Sequence, residues 1–270
     1  MQKLARVASE IRGEVIEMSH RTATPHLGSC LSVIDILVAV FFGGQIKVNP
    51  SIPNDPARDR VILSKGHAAM ALYSVLCRRG YYDQKILSSY AIEGSSLQEH
   101  PGPNSVPGVE VATGSLGHGL GVALGMALAS RNLSTSFKVI AILSDGECNE
   151  GSTWEAALFG SAQKLSNVTA FIDYNKWQAT GRSNEVMGLA PLRDKWESFG
   201  WESFEINGHD MDALINALKM PPDEAGRPRI FVCNTVKGKG CSFMEDDNNW
   251  HYRIPTAEEV TKAKEELGII

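Results

Sequence analysis

Two short stretches decide the fold of this chain: VIAILSDGE at residues 139–147 and VTAFIDYNKW at residues 168–177. Each begins as a mostly apolar run and ends in polar residues. Apolar runs without alternation are typical of strands in parallel sheets that are buried on both faces. The two stretches therefore predict consecutive strands of a mostly parallel sheet, with a helix between them.

The rest of the chain continues this alternation of strands and helices. Candidate strands lie at residues 60–63, 139–143, 168–173, 203–206 and 230–235. Helix start signals are Asp210 and two capping boxes, one from Ser152 to Glu155 and one from Thr256 to Glu259. We expect an α/β fold, a mostly parallel sheet covered by helices on both faces, in a single domain over residues 1–270. Two loop-rich segments, 98–117 and 238–255, interrupt the pattern, and such segments often carry function.

The composition excludes several classes of protein. The chain has 270 residues, of which 43% are hydrophobic and 21% charged, as in ordinary globular proteins. The net charge of -5 argues against a binder of nucleic acid or anionic membranes. The five cysteines have no metal-ligand spacing, and no apolar stretch is long enough to span a bilayer. We expect reduced thiols, no membrane segment and a cytoplasmic location.

Asp145 and Asn175 follow the two strands that decide the fold. Neighbouring parallel strands lie about 4.8 Å apart, so the two side chains can converge at one edge of the sheet. Their oxygen atoms suit Mg²⁺, and phosphate oxygens and water would complete the coordination shell of the ion. Gly146 would let a bound anion approach the backbone. The alternative is that both residues only form turns and caps.

At this point the sequence resembles a known family. Asp145-Gly146 followed by Asn175 is similar to the motif for thiamine diphosphate and magnesium, in which Gly-Asp-Gly precedes Asn by about thirty residues. Ser144 replaces the first glycine. Further segments resemble transketolase in the same order: 26–28, 59–67, 113–117, 150–151 and 250–251.

The resemblance covers nearly the whole chain but only one domain of a transketolase. It implies a thiamine diphosphate-binding fold that holds the diphosphate, with the pyrimidine-binding domain on a separate chain. The chain then resembles the N-terminal subunit of a split transketolase, active only with a separate C-terminal subunit, in an α2β2 heterotetramer.

The resemblance also assigns site residues. It implies that Asp145, Asn175 and the backbone carbonyl of Trp177 bind Mg²⁺ or another divalent cation such as Ca²⁺ or Mn²⁺. The implied cofactor contacts are His67, Gly114, Ser115, Leu116, Asp145, Gly146, Glu147, Asn175 and His251.

Four of the seven histidines fall on motif positions, namely His26, His67, His100 and His251. In the family such histidines line the channel above the cofactor, and neutral imidazoles both donate hydrogen bonds and move protons. With Glu150, which resembles an acidic residue at the subunit contact, they form the expected catalytic set. His20 and His209 lack this context and are interpreted as surface or capping residues. The role of His118 stays open.

The activity implied by the resemblance is transfer of a two-carbon ketol unit from a ketose or ketose phosphate to an aldehyde, with the cofactor as electron sink. The alternative enzyme is an α-type subunit of a thiamine diphosphate-dependent keto acid decarboxylase, dehydrogenase or acyl-transfer enzyme. A dinucleotide site at Gly117, Gly119 and Gly121 is disfavoured, because no strand precedes them. A non-catalytic scaffold is the third alternative.

Overall fold

The computed structural model describes residues 2–103 and 105–270, and a five-stranded parallel sheet lies at its centre. The strands are β1 (Arg60–Leu63), β2 (Val139–Ser144), β3 (Val168–Tyr174), β4 (Glu202–Asn207) and β5 (Arg229–Asn234). Their order across the sheet is β1-β2-β3-β5-β4. The two stretches that decide the fold are therefore adjacent strands, and Ser144 lies beside Asp173 in their register.

Ten α-helices surround the sheet in the described part of the chain. They are α1 (Gln2–Thr22), α2 (Leu27–Phe42), α3 (Ala69–Arg79), α4 (Gln84–Leu87), α5 (Gly119–Asn132), α6 (Gly151–Ala162), α7 (Ser183–Val186), α8 (Leu192–Ser198), α9 (Met211–Lys219) and α10 (Ala257–Glu266). Short 3₁₀ turns at Gly66–Ala68, Gly146–Asn149 and Asn248–His251 follow strands or interrupt loops near one edge of the sheet.

Helices cover both faces of the sheet, as the apolar strands predicted. Alternate residues of one strand point to opposite faces. Ile140 and Ile142 of β2 pack in the core formed with α1, α2, α3 and α9. Ala141 and Leu143 pack in the core formed with α5, α6 and α8.

The strand predictions are confirmed to within one residue at each end. The capping signals are confirmed in two cases: the Asp210 side chain accepts from two backbone N–H groups of α9, and Thr256 and Glu259 form a capping box. The capping box predicted from Ser152 to Glu155 is wrong. A 3₁₀ turn leads directly into α6, so the helix begins earlier, at Gly151, with Glu150 at the cap position and no side-chain cap.

The two loop-rich segments are confirmed as mostly irregular backbone. Within 98–117, where Asn104 lies outside the described residues, no helix or strand is present in the described part. Within 238–255 the one regular element described is the 3₁₀ turn Asn248–His251. Over residues 2–103 and 105–270, no helix is both long and apolar enough to cross a membrane.

A buried ion pair joins the carboxyl ends of several elements. The Lys65 ammonium, just after β1, donates to Asp173 of β3 at 2.5 Å, and both side chains are inaccessible to solvent. Ser32 of α2 donates to the same carboxylate at 2.6 Å, and Thr235 at the end of β5 donates to its other oxygen. A buried charge is tolerated only when it is paired and hydrogen-bonded, and Asp173 meets both conditions.

We predict that Lys65→Met lowers the free energy of unfolding by about 3–5 kcal/mol, because it leaves Asp173 as an uncompensated buried charge. Urea denaturation measures the change. Replacing both partners, as Lys65→Met with Asp173→Leu, should recover part of the loss. Lys3→Met on the exposed side of α1 is the control, expected to change stability by no more than about 0.5 kcal/mol. A single Lys65 variant as stable as the control would contradict the assigned role of the pair.

Candidate functional site

A cavity of about 390 Å³ opens at the carboxyl ends of β1, β2 and β3. In open α/β sheets, ligands bind in the crevice outside this edge. Most of the residues selected from the sequence line the cavity, together with several that were not. The lining includes His26, Ser29, Lys65, His67, His100, Gly114, Leu116, Ser144, Asp145, Gly146, Asn149, Glu150, Asn175, Trp177, Gln178 and His251.

Asp145 lies at the wall of the cavity, with almost no exposure to solvent. Its Oδ1 accepts from the N–H of Gly146 at 2.9 Å, and its Oδ2 accepts from the N–H of Lys176 and the hydroxyl of Ser183. Burial raises the pKa of Asp145 to about 6, although the Ser183 hydrogen bond opposes that shift. The buried carboxylate is therefore costly to ionise without a nearby positive charge.

Asn175 presents its amide from the end of β3. Its Nδ2 donates to Ser32 at 3.2 Å, and Ser32 donates in turn to Asp173. Its Oδ1 accepts from the backbone N–H of Trp177 at 3.1 Å. The buried ion pair thus fixes the orientation of the amide, so that the oxygen is the atom left to face the cavity.

The donor set at this edge fits a hard divalent cation. A carboxylate has about four acceptor positions and an amide oxygen two. Within the described residues, hydrogen bonds occupy three acceptor positions of the Asp145 carboxylate and one of the Asn175 amide oxygen. Each group therefore keeps one acceptor position free. Oxygen ligands from few side chains are what Mg²⁺ binds in phosphate sites.

Gly146 follows Asp145 and lies under the side chain of Gln178. A Cβ atom built at Gly146 would come within 3.2 Å of Gln178 Cγ, which leaves little room for any larger residue. The Gly146 N–H, expected from the resemblance to donate to a diphosphate, donates to Asp145 in this structure. The position fits the sequence analysis, while the diphosphate contact itself stays a prediction.

The four histidines chosen from the sequence lie together in the lining of the cavity. The ring of His26 lies 5.1 Å from that of His251, 5.6 Å from that of His67 and 5.9 Å from that of His100, measured between centroids. The structure thus gathers residues that are more than 200 positions apart in sequence. Their catalytic roles stay predictions.

Three of these imidazoles are held neutral. Burial, helped by the charge of neighbouring histidine and lysine side chains, lowers the pKa of His26 to about 4. Burial and the Lys237 ammonium lower the pKa of His251 to about 3, and burial lowers that of His67 well below its usual value. Neutral imidazoles at neutral pH have one donor and one acceptor nitrogen each, which suits them to hydroxyl groups of a substrate.

Lys237 is a residue that the sequence analysis missed. Its side chain is completely buried, and its ammonium donates to Asn248 at 2.7 Å and lies 3.1 Å from Nδ1 of His251. No carboxylate pairs with it among the described residues, and burial lowers its pKa to about 8. A buried ammonium without a counter-ion favours a bound anion. The available signal was its position just beyond β5, at the same sheet edge as Asp145.

The loop 113–117 borders the cavity as expected, with one difference. Gly114 and Leu116 line it, and the backbone of Gly114 has φ +147° in close contact with His100, so a larger residue would clash there. Ser115 instead lines a neighbouring depression with Thr113 and His118. His118, whose role was open, is exposed and does not line the main cavity.

Glu147, which was expected to contact the cofactor, does not line the cavity. Its side chain is completely buried below the cavity rather than in its lining. The carboxylate accepts from the Ser64 hydroxyl, from the Gly117 N–H at 2.9 Å and from the Ser144 N–H at 3.3 Å. With these three donors Glu147 holds the loop 113–117 against Ser64 and Ser144, and its contact with a cofactor stays a prediction.

Glu150 lies at the rim of the cavity and is exposed in this chain. Its expected contact with a second protein chain stays a prediction. His20 is exposed, as interpreted from the sequence, and its Nδ1 donates to the Pro255 carbonyl at 2.7 Å. The interpretation of His209 is wrong: it lies mostly buried, 2.7 Å from Asp35, which also pairs with Arg12.

The turn that presents the Trp177 carbonyl is fixed by the Trp177 side chain. Its indole N–H donates to Asp246 at 2.8 Å, and the Arg182 guanidinium stacks 3.8 Å from the ring centre. Arg182 makes two further hydrogen bonds to Asp246, at 2.6 and 2.7 Å. Asp246 belongs to the loop 238–255, so this clamp joins the predicted cation-ligand turn to the segment that carries His251.

Proteins of one family match this chain over nearly its whole length. The family described as "Transketolase, thiamine diphosphate binding domain" matches residues 4–270. The chain is 38% identical over 257 residues to one subunit of the apulose-4-phosphate transketolase of Phocaeicola vulgatus, covering 95% of this chain and 91% of that protein. It is 38% identical over 256 residues to the 6-deoxy-6-sulfo-D-fructose transketolase subunit SqwG of Clostridium sp. (strain MSTE9), covering 95% and 92%.

A solved structure supports the fold at the level of the backbone. The transketolase of Campylobacter jejuni superposes with a TM-score of 0.91 at 28% identity, covering 99% of this chain and 43% of that chain. This chain therefore spans less than half of that transketolase. The predicted fold class and the resemblance to transketolase are confirmed, and these relatives do not favour the keto acid dehydrogenase alternative.

We predict that the imidazoles of His26, His67 and His251 stay neutral between about pH 5 and pH 8, since free histidine titrates near pH 6.5. Because the folded pKa values lie below the unfolded ones, the chain should lose stability as pH falls from about 6.5 towards 4. Long-range ¹H–¹⁵N NMR of the imidazoles measures their protonation, with the urea-unfolded chain as control. A midpoint near 6.5 for any of the three in the folded chain would contradict the burial argument.

Proposed function

The chain belongs to the transketolase family, of which it carries the thiamine diphosphate-binding domain, and we propose that it is the diphosphate-binding subunit of a two-chain transketolase. The observation that carries the proposal is the pairing of Asp145 and Asn175 at one sheet edge with a buried, unpaired Lys237 and four clustered histidines. That arrangement offers oxygen ligands to a cation, a positive charge to an anion and imidazole nitrogens to a sugar.

The binding roles follow from the charges of these side chains. Asp145, Asn175 and the Trp177 carbonyl would hold Mg²⁺, or another divalent cation such as Ca²⁺ or Mn²⁺, and this cation would supply positive charge for the diphosphate. The cation supplies the positive charge that the buried Asp145 carboxylate lacks. Lys237 would balance the remaining negative charge of the diphosphate. The bound anion would in turn raise the pKa of Lys237 back towards its usual value.

The histidines would act on the substrate rather than on the diphosphate. When bound, the cofactor supplies the electron sink for cleavage and formation of the carbon–carbon bond. His26, His67, His100 and His251 would donate to and accept from the hydroxyl and carbonyl groups of the sugar. His26 and His251 are neutral near pH 7, so each is able to take up a proton at one nitrogen and release one at the other.

The substrates of the relatives indicate a class of donor. Two of the relatives are named for apulose 4-phosphate and for 6-deoxy-6-sulfo-D-fructose, which carry a phosphate and a sulfonate group. We propose an anionic ketose as donor and an aldehyde as acceptor for this chain. Among the described residues, Lys65 is the only lysine or arginine in the lining of this cavity, and it is paired with Asp173. Recognition of the anionic end is therefore assigned to the partner.

A second polypeptide completes the proposed enzyme. Relatives of similar length are named as subunits, and a transketolase more than twice as long matches this chain over 43% of its length. We propose that a separate C-terminal subunit with the pyrimidine-binding domain pairs with this chain as α2β2, with Glu150 at the contact.

The five cysteines, none of them in a disulfide, support a reducing compartment such as the cytoplasm.

We predict that Asp145→Asn abolishes Mg²⁺-dependent binding of thiamine diphosphate in the complex reconstituted with the partner subunit. The loss should exceed the roughly 100-fold effect typical of residues that only orient a metal ligand. Calorimetric titration measures the affinity, sedimentation measures whether the complex is α2β2, and a coupled assay measures ketol transfer from an anionic ketose.

The matched control is Asp210→Asn, which removes the same charge at the first turn of α9, where asparagine caps as well as aspartate. The control should bind and react as the wild type does. Wild-type affinity in the Asp145 variant would contradict the proposed cation site. Decarboxylation of keto acids without ketol transfer by the wild-type complex would contradict the proposed reaction.

A further inference from the structure

The side-chain amide of Gln178 is a buried donor without a partner. Its Nε2 is inaccessible to solvent and makes no hydrogen bond to any described residue. Buried polar groups in folded proteins are nearly always hydrogen-bonded, and the exceptions often mark a place where a ligand binds. Gln178 is not among the residues that the sequence analysis selected.

The position of this amide relates it to the proposed cofactor site. Gln178 lines the cavity with Asp145, Gly146 and Asn175. Its side chain lies over Gly146, so close that a Cβ atom there would be 3.5 Å from Gln178 Cδ and 3.8 Å from its Oε1. The amide therefore lies at the cation and diphosphate end of the cavity, beside the backbone that can approach an anion.

The backbone around Gln178 is held in place. Its own N–H donates to the Gly181 carbonyl at 2.8 Å, which closes a tight turn. The Trp177 and Arg182 backbones pair across the base of this turn, and their side chains are clamped to Asp246. Asn248 donates to the Ala179 carbonyl at 3.2 Å. A donor on a turn fixed at so many points is pre-organised for binding.

We propose that Gln178 is a further cofactor-binding residue, whose amide N–H donates to an oxygen of the diphosphate that lies above Gly146. The inference rests on the proposed function, because it concerns the same site. A neutral amide suits this position: it adds a donor for phosphate oxygens without placing another charge beside Asp145 and its cation. No acceptor among the described residues forms a hydrogen bond with the Gln178 Nε2 group, and a diphosphate offers many acceptor oxygens.

The test compares Gln178→Leu and Gln178→Glu with the wild type in the reconstituted complex. Leucine removes the donor at similar size, and glutamate replaces it with an acceptor that repels phosphate. Three probes are titrated by calorimetry in the presence of Mg²⁺: thiamine diphosphate, inorganic pyrophosphate and thiamine. Gln2→Leu and Gln2→Glu, on the exposed first turn of α1, are the matched controls.

Loss of one hydrogen bond to a charged group predicts about tenfold weaker binding of thiamine diphosphate and pyrophosphate by the leucine variant, and a larger loss for the glutamate variant. Thiamine affinity should not change, because thiamine has no diphosphate. Equal pyrophosphate affinity in the wild type and both variants would overturn the inference alone. A wild-type complex that binds neither diphosphate probe would overturn the proposed function as well.

A second measurement needs no variant to fold under test conditions. In ¹⁵N-labelled wild-type complex, the Gln178 side-chain NH₂ resonance should move downfield when Mg²⁺ and pyrophosphate are added, since its N–H gains a charged acceptor. The resonance is assigned by backbone connectivity in the wild-type complex. A resonance that stays unchanged at saturating pyrophosphate would overturn the inference.

Discussion

The buried carboxylate of Asp173 is the constraint on which the site depends. It accepts from Lys65, Ser32 and Thr235, so it joins the ends of β1, β3 and β5 to α2 without any contact with solvent. The energetic gain from such a pair is small, but leaving either charge alone is costly. The consequence is geometric. Asn175 lies two residues beyond Asp173 and donates to the same Ser32, so the arrangement that satisfies the buried charge also orients the amide towards the cavity.

The electrostatics of the cavity are arranged for a ligand that brings both signs of charge. Burial raises the pKa of Asp145 and lowers the pKa of Lys237. In both side chains, burial therefore disfavours the charged form. A divalent cation relieves the first and a phosphate anion relieves the second. A magnesium diphosphate supplies both within one ligand. The same burial keeps three histidines neutral, so the histidine cluster makes its part of the cavity polar without adding net charge.

Features that depend on local sequence were predictable, and features that depend on contacts between distant segments were not. The strands were predictable because their apolar runs reflect burial on both faces, and the histidines because each belongs to a motif. Lys237 and Gln178 were missed, since nothing local distinguishes a buried lysine or an orphaned amide from loop residues that face solvent. Their environment comes from distant segments, the loop 238–255 in one case and Gly146 in the other. The burial of Glu147 below the cavity was unforeseen for the same reason: the donors to its carboxylate include Ser64, far away in sequence.

The most direct measurement is a crystal structure of this chain with its partner subunit, thiamine diphosphate and Mg²⁺. The account predicts density for one cation within about 2.0–2.1 Å of an oxygen of Asp145, the Asn175 amide oxygen and the Trp177 carbonyl, with diphosphate oxygens completing its shell. A diphosphate bound elsewhere on this chain, or a cation held without Asp145 and Asn175, would contradict the central claim that the ends of β2 and β3 hold the cofactor.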